Sequence, residues 1–381
     1  MGKKPQRGCI KRIRMILMKL IVACLRFINL FFKPLKLQDK VAIISRQSNV
    51  PTLDIKMLTE ELDKRNVKTL VLTSKMEKSL SGMAKFAMHL LKQIKAIATC
   101  KVVIVDGYCI PASVLAKKKG QTIVQMWHAL GAIKKFGWQN TENPDGHSRE
   151  VSQVMCMHRN YDYILAPSEV TGKFFAEAFR TPENKIFYCG LPRIDFLKTE
   201  DKEKFMEICR EYPAVKEKPI VLYVPTFRKG SEVSMGALTE AFEYDRFNLV
   251  IKKHFLDKGD YKEAKAKGAI VDDKFSSMDW LRIAKKVVTD YSAIAFEAAV
   301  IEKELYIYQP DFHQYENNVG LNVSLEDEAI GKYVAKDQRS LVELLKEPYD
   351  IKAVKEFCGK FISVNTDNCT GQLCDFIMEH L

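Results

Sequence analysis

The 381 residues exceed what one hydrophobic core usually organises, so two domains of roughly 150 residues and an appendage are expected. With 47% hydrophobic and 28% charged residues, the composition excludes a disordered or multi-span membrane chain. The net charge of +12 sits almost wholly in residues 1–40, which hold eleven Lys and Arg against Asp39 alone. The remainder carries 49 basic and 47 acidic residues, too even a balance for the broad basic face that nucleic-acid binding requires.

The first element is an apolar helix from Ile13 to Phe32, interrupted by Lys19 and Arg26, so its longest uncharged run falls short of the ~20 residues that span a bilayer. Arg12, Lys19, Arg26 and Lys33 recur every seven residues and form one basic stripe. Met15, Leu17, Val22, Leu25, Phe27, Phe31 and their neighbours make a wide apolar face. Residues 1–37 are thus expected to be a basic amphipathic helix lying on an anionic membrane surface. A cleaved signal peptide or a span is the main rival, though Asn29–Pro34 offers no small-x-small cleavage pattern, and a helix packed into a protein core is the third reading.

Strand and helix then alternate: strands at Val41–Ser45, Thr69–Ser74, Val102–Asp106, Thr122–Met126, Tyr163–Ala166 and Lys185–Cys189, with helices near Leu53–Arg65, Gly82–Ala98, Ala112–Lys118 and Val170–Phe179. Such alternation predicts a parallel sheet covered on both faces. Gly190–Leu197 breaks the pattern, and a second series begins, with strands at Ile220–Pro225, Leu249–Lys253, Ala269–Val271, Lys286–Thr289 and Leu305–Tyr308. Two successive α/β units joined by a hinge predict a GT-B fold, two Rossmann-like domains facing across a cleft. The expected bounds are 38–197 and 198–350, with C-terminal helices in 351–381 crossing back to the first domain. The ten cysteines are scattered, contain no C-x-x-C pair, and suit buried thiols in a reducing compartment.

Ligands of open parallel sheets bind beyond the carboxyl ends of the strands. Four strand ends carry suitable chemistry. His128 follows Thr122–Met126 near Gly131, placed for general-base work with glycine permitting close approach of a ligand; a core or capping histidine is the alternative. Thr226 and Arg228 follow Ile220–Val224 and offer donors that a diphosphate accepts, although an arginine in a surface turn looks the same. Lys252 and His254 point the same way along an extended chain, so both face one phosphate or both belong to a solvated strand end. Asp290 and Ser292 lead into the helix Ala293–Ile301, where Ser292 is expected to act as cap and anion donor and Glu297 to reach ribose hydroxyls. No P-loop, Gly-x-Gly-x-x-Gly or paired metal-ligand histidines occur, so no cofactor or chelated metal is required by the sequence, which leaves divalent-metal dependence open.

Together, Gln125-Met-Trp-His128, Gly190-Leu-Pro-Arg-Ile-Asp195, Tyr223-Val-Pro-Thr-Phe-Arg228, Lys252-Lys-His254, Thr289-Asp-Tyr-Ser292 and Tyr308-Gln-Pro-Asp311 resemble the CDP-glycerol glycerophosphotransferase family of teichoic acid synthesis. The resemblance implies transfer of glycerol phosphate from CDP-glycerol to a hydroxyl of a lipid-linked acceptor at the cytoplasmic face of the membrane, with CMP leaving. It implies His128 as base and His254, Arg228, Thr226 and Ser292 around the diphosphate. Ala129 and Leu130 stand where the family often has Gly-Thr, and Ala293 where it often has a second serine. CDP-ribitol is therefore an alternative donor, and a nucleotide-sugar glycosyltransferase of the same fold an alternative enzyme.

Overall fold

The computed structural model describes residues 4–76, 79–226, 239, 240, 242–253 and 261–381. These form two compact units that are not contiguous in sequence. The first comprises Met1–His128, Lys135–Arg193 and Val364–Leu381; the second comprises Ala129–Lys134 and Ile194–Ser363.

The first unit contains β1 (Gln38–Ser45), β2 (Lys68–Thr73), β3 (Cys100–Val105), β4 (Thr122–Gln125), β5 (Tyr163–Ala166) and β6 (Ile186–Tyr188). They form a wholly parallel sheet in the order β2-β1-β3-β4-β5-β6. Val41–Ile44 and Val102–Val105 are buried at every position, the continuous apolar run that a strand covered on both faces needs. Helices supply the cover. In α2 (Leu53–Lys64), Ile55, Leu58 and Leu62 fall on one side by helical spacing and are fully buried. The last helix, Cys369–Met378, belongs to this unit, where Phe376 stacks on Phe187 of β6 with ring centroids 4.0 Å apart.

Helix α1 (Lys4–Phe32) is also part of the first unit. Val22 and Leu25 are buried with Ile94, Val114, Leu115 and Met155, and Met18, Ile21, Ile28 and Phe32 pack around them. The wide membrane face expected from sequence is therefore divided, because half of it closes a protein core. Ile13, Ile16, Leu17, Leu20, Phe27, Leu30 and Phe31 remain outside, Phe31 at 71% exposure. At about 100° per residue Phe31 stands half a turn from Val22, and the basic stripe runs along the flank between the two faces. Arg26 of that stripe turns inward, its Nε donating to the Val114 carbonyl at 3.2 Å. By length and composition alone, Lys11–Phe32 is sufficient to cross a membrane despite its charges.

The second unit holds β7 (Ile220–Tyr223), β8 (Asn248–Ile251), β9 (Ile270–Val271), β10 (Lys286–Thr289), β11 (Glu304–Tyr308) and β12 (Val334–Ala335). Its parallel sheet has the order β12-β11-β10-β7-β8-β9, the doubly wound Rossmann arrangement with its reversal between β7 and β10. The short β12 escaped the sequence pattern because two residues show no periodicity. The helix Ile351–Phe361 packs here, with Phe357 and Phe296 stacked 5.5 Å apart. Ala129–Lys134 joins this unit through the Lys134–Leu321 bridge and an Asn322 amide donating to the Ile133 carbonyl at 2.8 Å.

Candidate active site

His128 leaves the carboxyl end of β4 after a residue with unusual backbone geometry. Trp127 has φ of 59°, a left-handed conformation that a bulky residue adopts only under constraint. The constraint is visible: the indole packs on Phe136 at 4.4 Å and Phe179 at 5.2 Å, while the Trp127 amide donates to Gln125 Oε1 at 2.9 Å. Gln125 is fixed in turn by donating to the Gly107 carbonyl and the Tyr161 hydroxyl. This bend aims the imidazole at the end of β3, where its Nδ1 lies 2.7 Å from the Asp106 carbonyl. A carbonyl can only accept, so Nδ1 carries the proton and the basic lone pair belongs to Nε2. The Gln47 side-chain amide stands 3.1 Å from the same Nδ1 and shares that proton when its oxygen faces the ring.

A buried ion pair holds the other side. Arg193 pairs with Asp54 through both guanidinium and backbone, Nε–Oδ2 being 2.9 Å and N–Oδ1 2.9 Å, and its Nη2 donates to the His128 carbonyl at 2.9 Å. The planar fork fits a carboxylate and a carbonyl at once, which a lysine does not. Asp106 itself is only 2% exposed, and burial pushes its carboxyl up to about 6 while Ser45, donating at 2.7 Å, pulls the other way. Sequence reading missed Asp54, Arg193, Asp106 and Gln47 as site residues. Arg193 at least stands inside the Gly190–Asp195 motif; Asp54 reads as an ordinary acidic residue in a first helical turn.

Gly131 has a different purpose from the one expected. A Cβ there would stand 2.4 Å from the Phe296 ring, so the close approach it permits is to a core aromatic of the second unit rather than to a ligand.

In the second unit, Asp290 lies at the end of β10 and is fully buried. It accepts from the Thr226 amide (3.0 and 2.9 Å), the Thr226 hydroxyl (2.7 Å) and the Tyr291 amide (2.6 Å). The β7 and β10 ends are thus clamped together at the point where strand order reverses, with Asp290 acting as the clamp and Thr226 spending its hydroxyl proton on it. Arg228 and His254 lie outside the described residues.

Lys252 departs from the expectation that it faces a phosphate. Its ammonium donates to the Asp272 carbonyl (2.6 Å), Asp272 Oδ2 (3.1 Å) and the Phe275 carbonyl (2.7 Å), which uses all three of its protons. Asp272 is buried and also takes the Trp280 indole N–H at 2.7 Å. Lys252 therefore acts inside the fold, tying the end of β8 to the segment from Asp272 to Phe275. Ser292 is likewise displaced from its expected place: the helix starts at Ile294 with Ala293 as N-cap, and Ser292 Oγ meets the Ile294 amide only at 3.4 Å. Glu297, in the first turn, is 1% exposed. Among the described residues no three His, Cys, Asp or Glu converge as a metal site.

Residues 27–379 match the family described as CDP-Glycerol:Poly(glycerophosphate) glycerophosphotransferase. The chain belongs to that family. The glycerophosphotransferase family match is joined by a teichoic acid ribitol-phosphate primase of Bacillus spizizenii, 29% identical over 90% of this chain and 92% of its own. A teichoic acid glycerol-phosphate primase of Bacillus subtilis is 26% identical over 77% of each chain. Among solved structures, the wall teichoic acid polymerase TagF superposes with a TM-score of 0.72 over 97% of both chains at 16% identity, and a Staphylococcus aureus MnaA–UDP structure with 0.58 over 90% of this chain. The fold is thus of GT-B type and the protein an enzyme, a polyol-phosphate transferase.

Proposed function

We propose that this enzyme transfers glycerol phosphate from CDP-glycerol to a hydroxyl of a lipid-linked acceptor in teichoic acid synthesis, releasing CMP. The observation that carries the chemistry is the 2.7 Å contact of His128 Nδ1 with the Asp106 carbonyl. With Nδ1–H spent on the Asp106 carbonyl, Nε2 takes the proton from the acceptor hydroxyl as its oxygen attacks the donor's β-phosphorus. Phosphoryl transfer is otherwise a matter of positioning and of donors aimed at developing negative charge. Arg228, His254 and the Ser292 hydroxyl are the groups we assign to the diphosphate, and Glu297 to the ribose. Thr226 and Asp290 tie the β7 and β10 ends together, two residues before Arg228 in the sequence.

CDP-ribitol is the second reading for the donor, favoured by the higher identity and coverage with the ribitol-phosphate primase. We also propose that α1 holds the enzyme on the cytoplasmic membrane surface. Its outer apolar row supports this, and the docking of Val22 and Leu25 into the protein core favours an interfacial helix over a span.

The test is to incubate the purified protein with lipid acceptor and, in turn, CDP-glycerol, CDP-ribitol and a UDP-sugar. CMP release with one CDP-polyol is expected. UDP release alone would replace the proposal with a glycosyltransferase.

A further inference from the structure

Three residues of one short loop in the first unit have left-handed backbones that side chains normally avoid: Cys156 (φ 50°), His158 (φ 59°) and Asn160 (φ 75°). Such strain persists only where the surroundings over-determine it, and here they do. The Asn160 amide donates to the Ala112 and Leu115 carbonyls at 2.9 and 2.8 Å, the Trp138 indole to the Met157 carbonyl at 3.0 Å, and the Tyr108 hydroxyl to the Met155 carbonyl at 2.6 Å. A loop tied this firmly in a strained shape marks a place where position matters.

The loop packs against the side chain that precedes the base. The His158 ring stands 6.5 Å from the Trp127 indole and 4.7 Å from Phe179, which itself meets the indole at 5.2 Å. The indole touches both Phe136 at 4.4 Å and the His128 imidazole at 4.1 Å, so what moves the indole moves the base. A chain of hydrogen bonds runs beside these rings. The Gly107 carbonyl can only accept, so the NH2 end of the Gln125 amide faces it at 3.1 Å and the amide oxygen faces the Trp127 N–H at 2.9 Å. The second N–H of that amide goes to the Tyr161 hydroxyl at 2.9 Å, which leaves the phenol's own proton for His158 Nδ1, also 2.9 Å away. All three side chains are buried, and burial pushes the His158 pKa down to about 3, which keeps this histidine uncharged and able to accept.

We propose that Tyr161, backed by His158, is a positioning residue for the base. Through Gln125 it holds the Trp127 amide in its left-handed turn, and that turn sets His128 Nδ1 on the Asp106 carbonyl. Without the hydroxyl, one buried N–H of the Gln125 amide has no acceptor, and the amide turns to find one. Trp127 then loses the fixed partner of its N–H, and its strained backbone relaxes toward an ordinary conformation. Tyr161 is 1% exposed and acts only through its neighbours. The inference rests on the reading of His128 as base for its catalytic consequence, whereas the ring geometry that it predicts does not.

The experiment uses the full-length enzyme and its Tyr161→Phe and His158→Phe variants, singly and combined, none of which removes an aromatic ring. With isotope-labelled histidine, the His128 ring signals are identified by their absence from His128→Gln and followed by NMR. Steady-state kinetics are measured with CDP-polyol and vesicle-borne acceptor well below the melting temperature. Expected in Tyr161→Phe are displaced His128 ring signals and a kcat lowered about 10- to 100-fold with donor KM unchanged, as for a misplaced catalytic group. His158→Phe leaves the hydroxyl accepting from Gln125 and should lose less, and the combined variant no more than Tyr161→Phe alone, because the two are links of one chain. A parental kcat in folded Tyr161→Phe overturns the proposal, whatever its melting temperature, and so does a fall in kcat with the His128 signals unmoved. Should Tyr161→Phe not fold, displaced His128 signals in His158→Phe support the chain and unmoved ones overturn it. Ring signals that move in an enzyme whose parent releases CMP from neither CDP-polyol leave the positioning standing and sink the transfer reading instead.

Discussion

Asp106→Asn probes the site through stability. Burial lifts the Asp106 carboxyl from 3.8 to about 6, so the folded chain holds a proton there that the unfolded chain has released. A raised acid pKa means that folding is opposed as pH rises: the cost begins near pH 4, grows through the interval, and is complete above about pH 6. Two units at 1.36 kcal/mol each make it about 3 kcal/mol at pH 8. The groups facing the carboxyl are Ser45 and Arg193, which favour its charged form, and Asp54, which opposes it. Asparagine keeps the shape and can accept from Ser45 but carries no charge to desolvate. For a unit of this size, where 1 kcal/mol corresponds to about 2–4 °C, the variant should melt roughly 6–12 °C higher relative to the parent at pH 8 than it does at pH 4. Calorimetry of both proteins at the two pH values measures this difference of differences, from which any pH-independent effect of the amide cancels. A gap between the two proteins that does not change with pH would refute the reasoning, since it would mean that the carboxylate is solvated in the folded chain.

Replacing His128 with glutamine should lower transfer by about 10²–10⁴-fold while leaving CDP-polyol binding intact, as titration calorimetry with the donor would record. Arg193→Lys should lower kcat without abolishing folding, because an ammonium cannot serve Asp54 and the His128 carbonyl together; an unchanged kcat speaks against the clamp. Lys252→Met should destabilise the second unit by about 3–5 kcal/mol in a denaturant titration, by stranding the buried Asp272 carboxylate. Changing Phe27, Leu30 and Phe31 to serine should release the enzyme from anionic vesicles in a flotation assay with its melting curve unaltered. Deleting the helix is the poorer experiment, since it would uncover Ile94, Val114, Leu115 and Met155.

Much of the architecture follows from local sequence. Several strands of both units carry uninterrupted apolar runs, such as Val41–Ile44 and Leu249–Ile251, and a fully apolar strand has only one home, the interior of a parallel sheet. Position at a strand end was equally legible and brought out His128, Thr226 and Asp290. Their partners were not legible, because a partner is a fact of three dimensions. Whether Lys252 meets a phosphate or Asp272 depends on a carboxylate twenty residues away, and whether Val22 meets lipid or Leu115 depends on the surface beside it. Sequence determined which residues are apolar, charged or basic and in what order they leave the sheet. Only the tertiary structure decided which of them are spent holding the fold: it satisfied Lys252 and Asp290 internally, turned Gly131 toward Phe296, and set His128 Nδ1 on the Asp106 carbonyl.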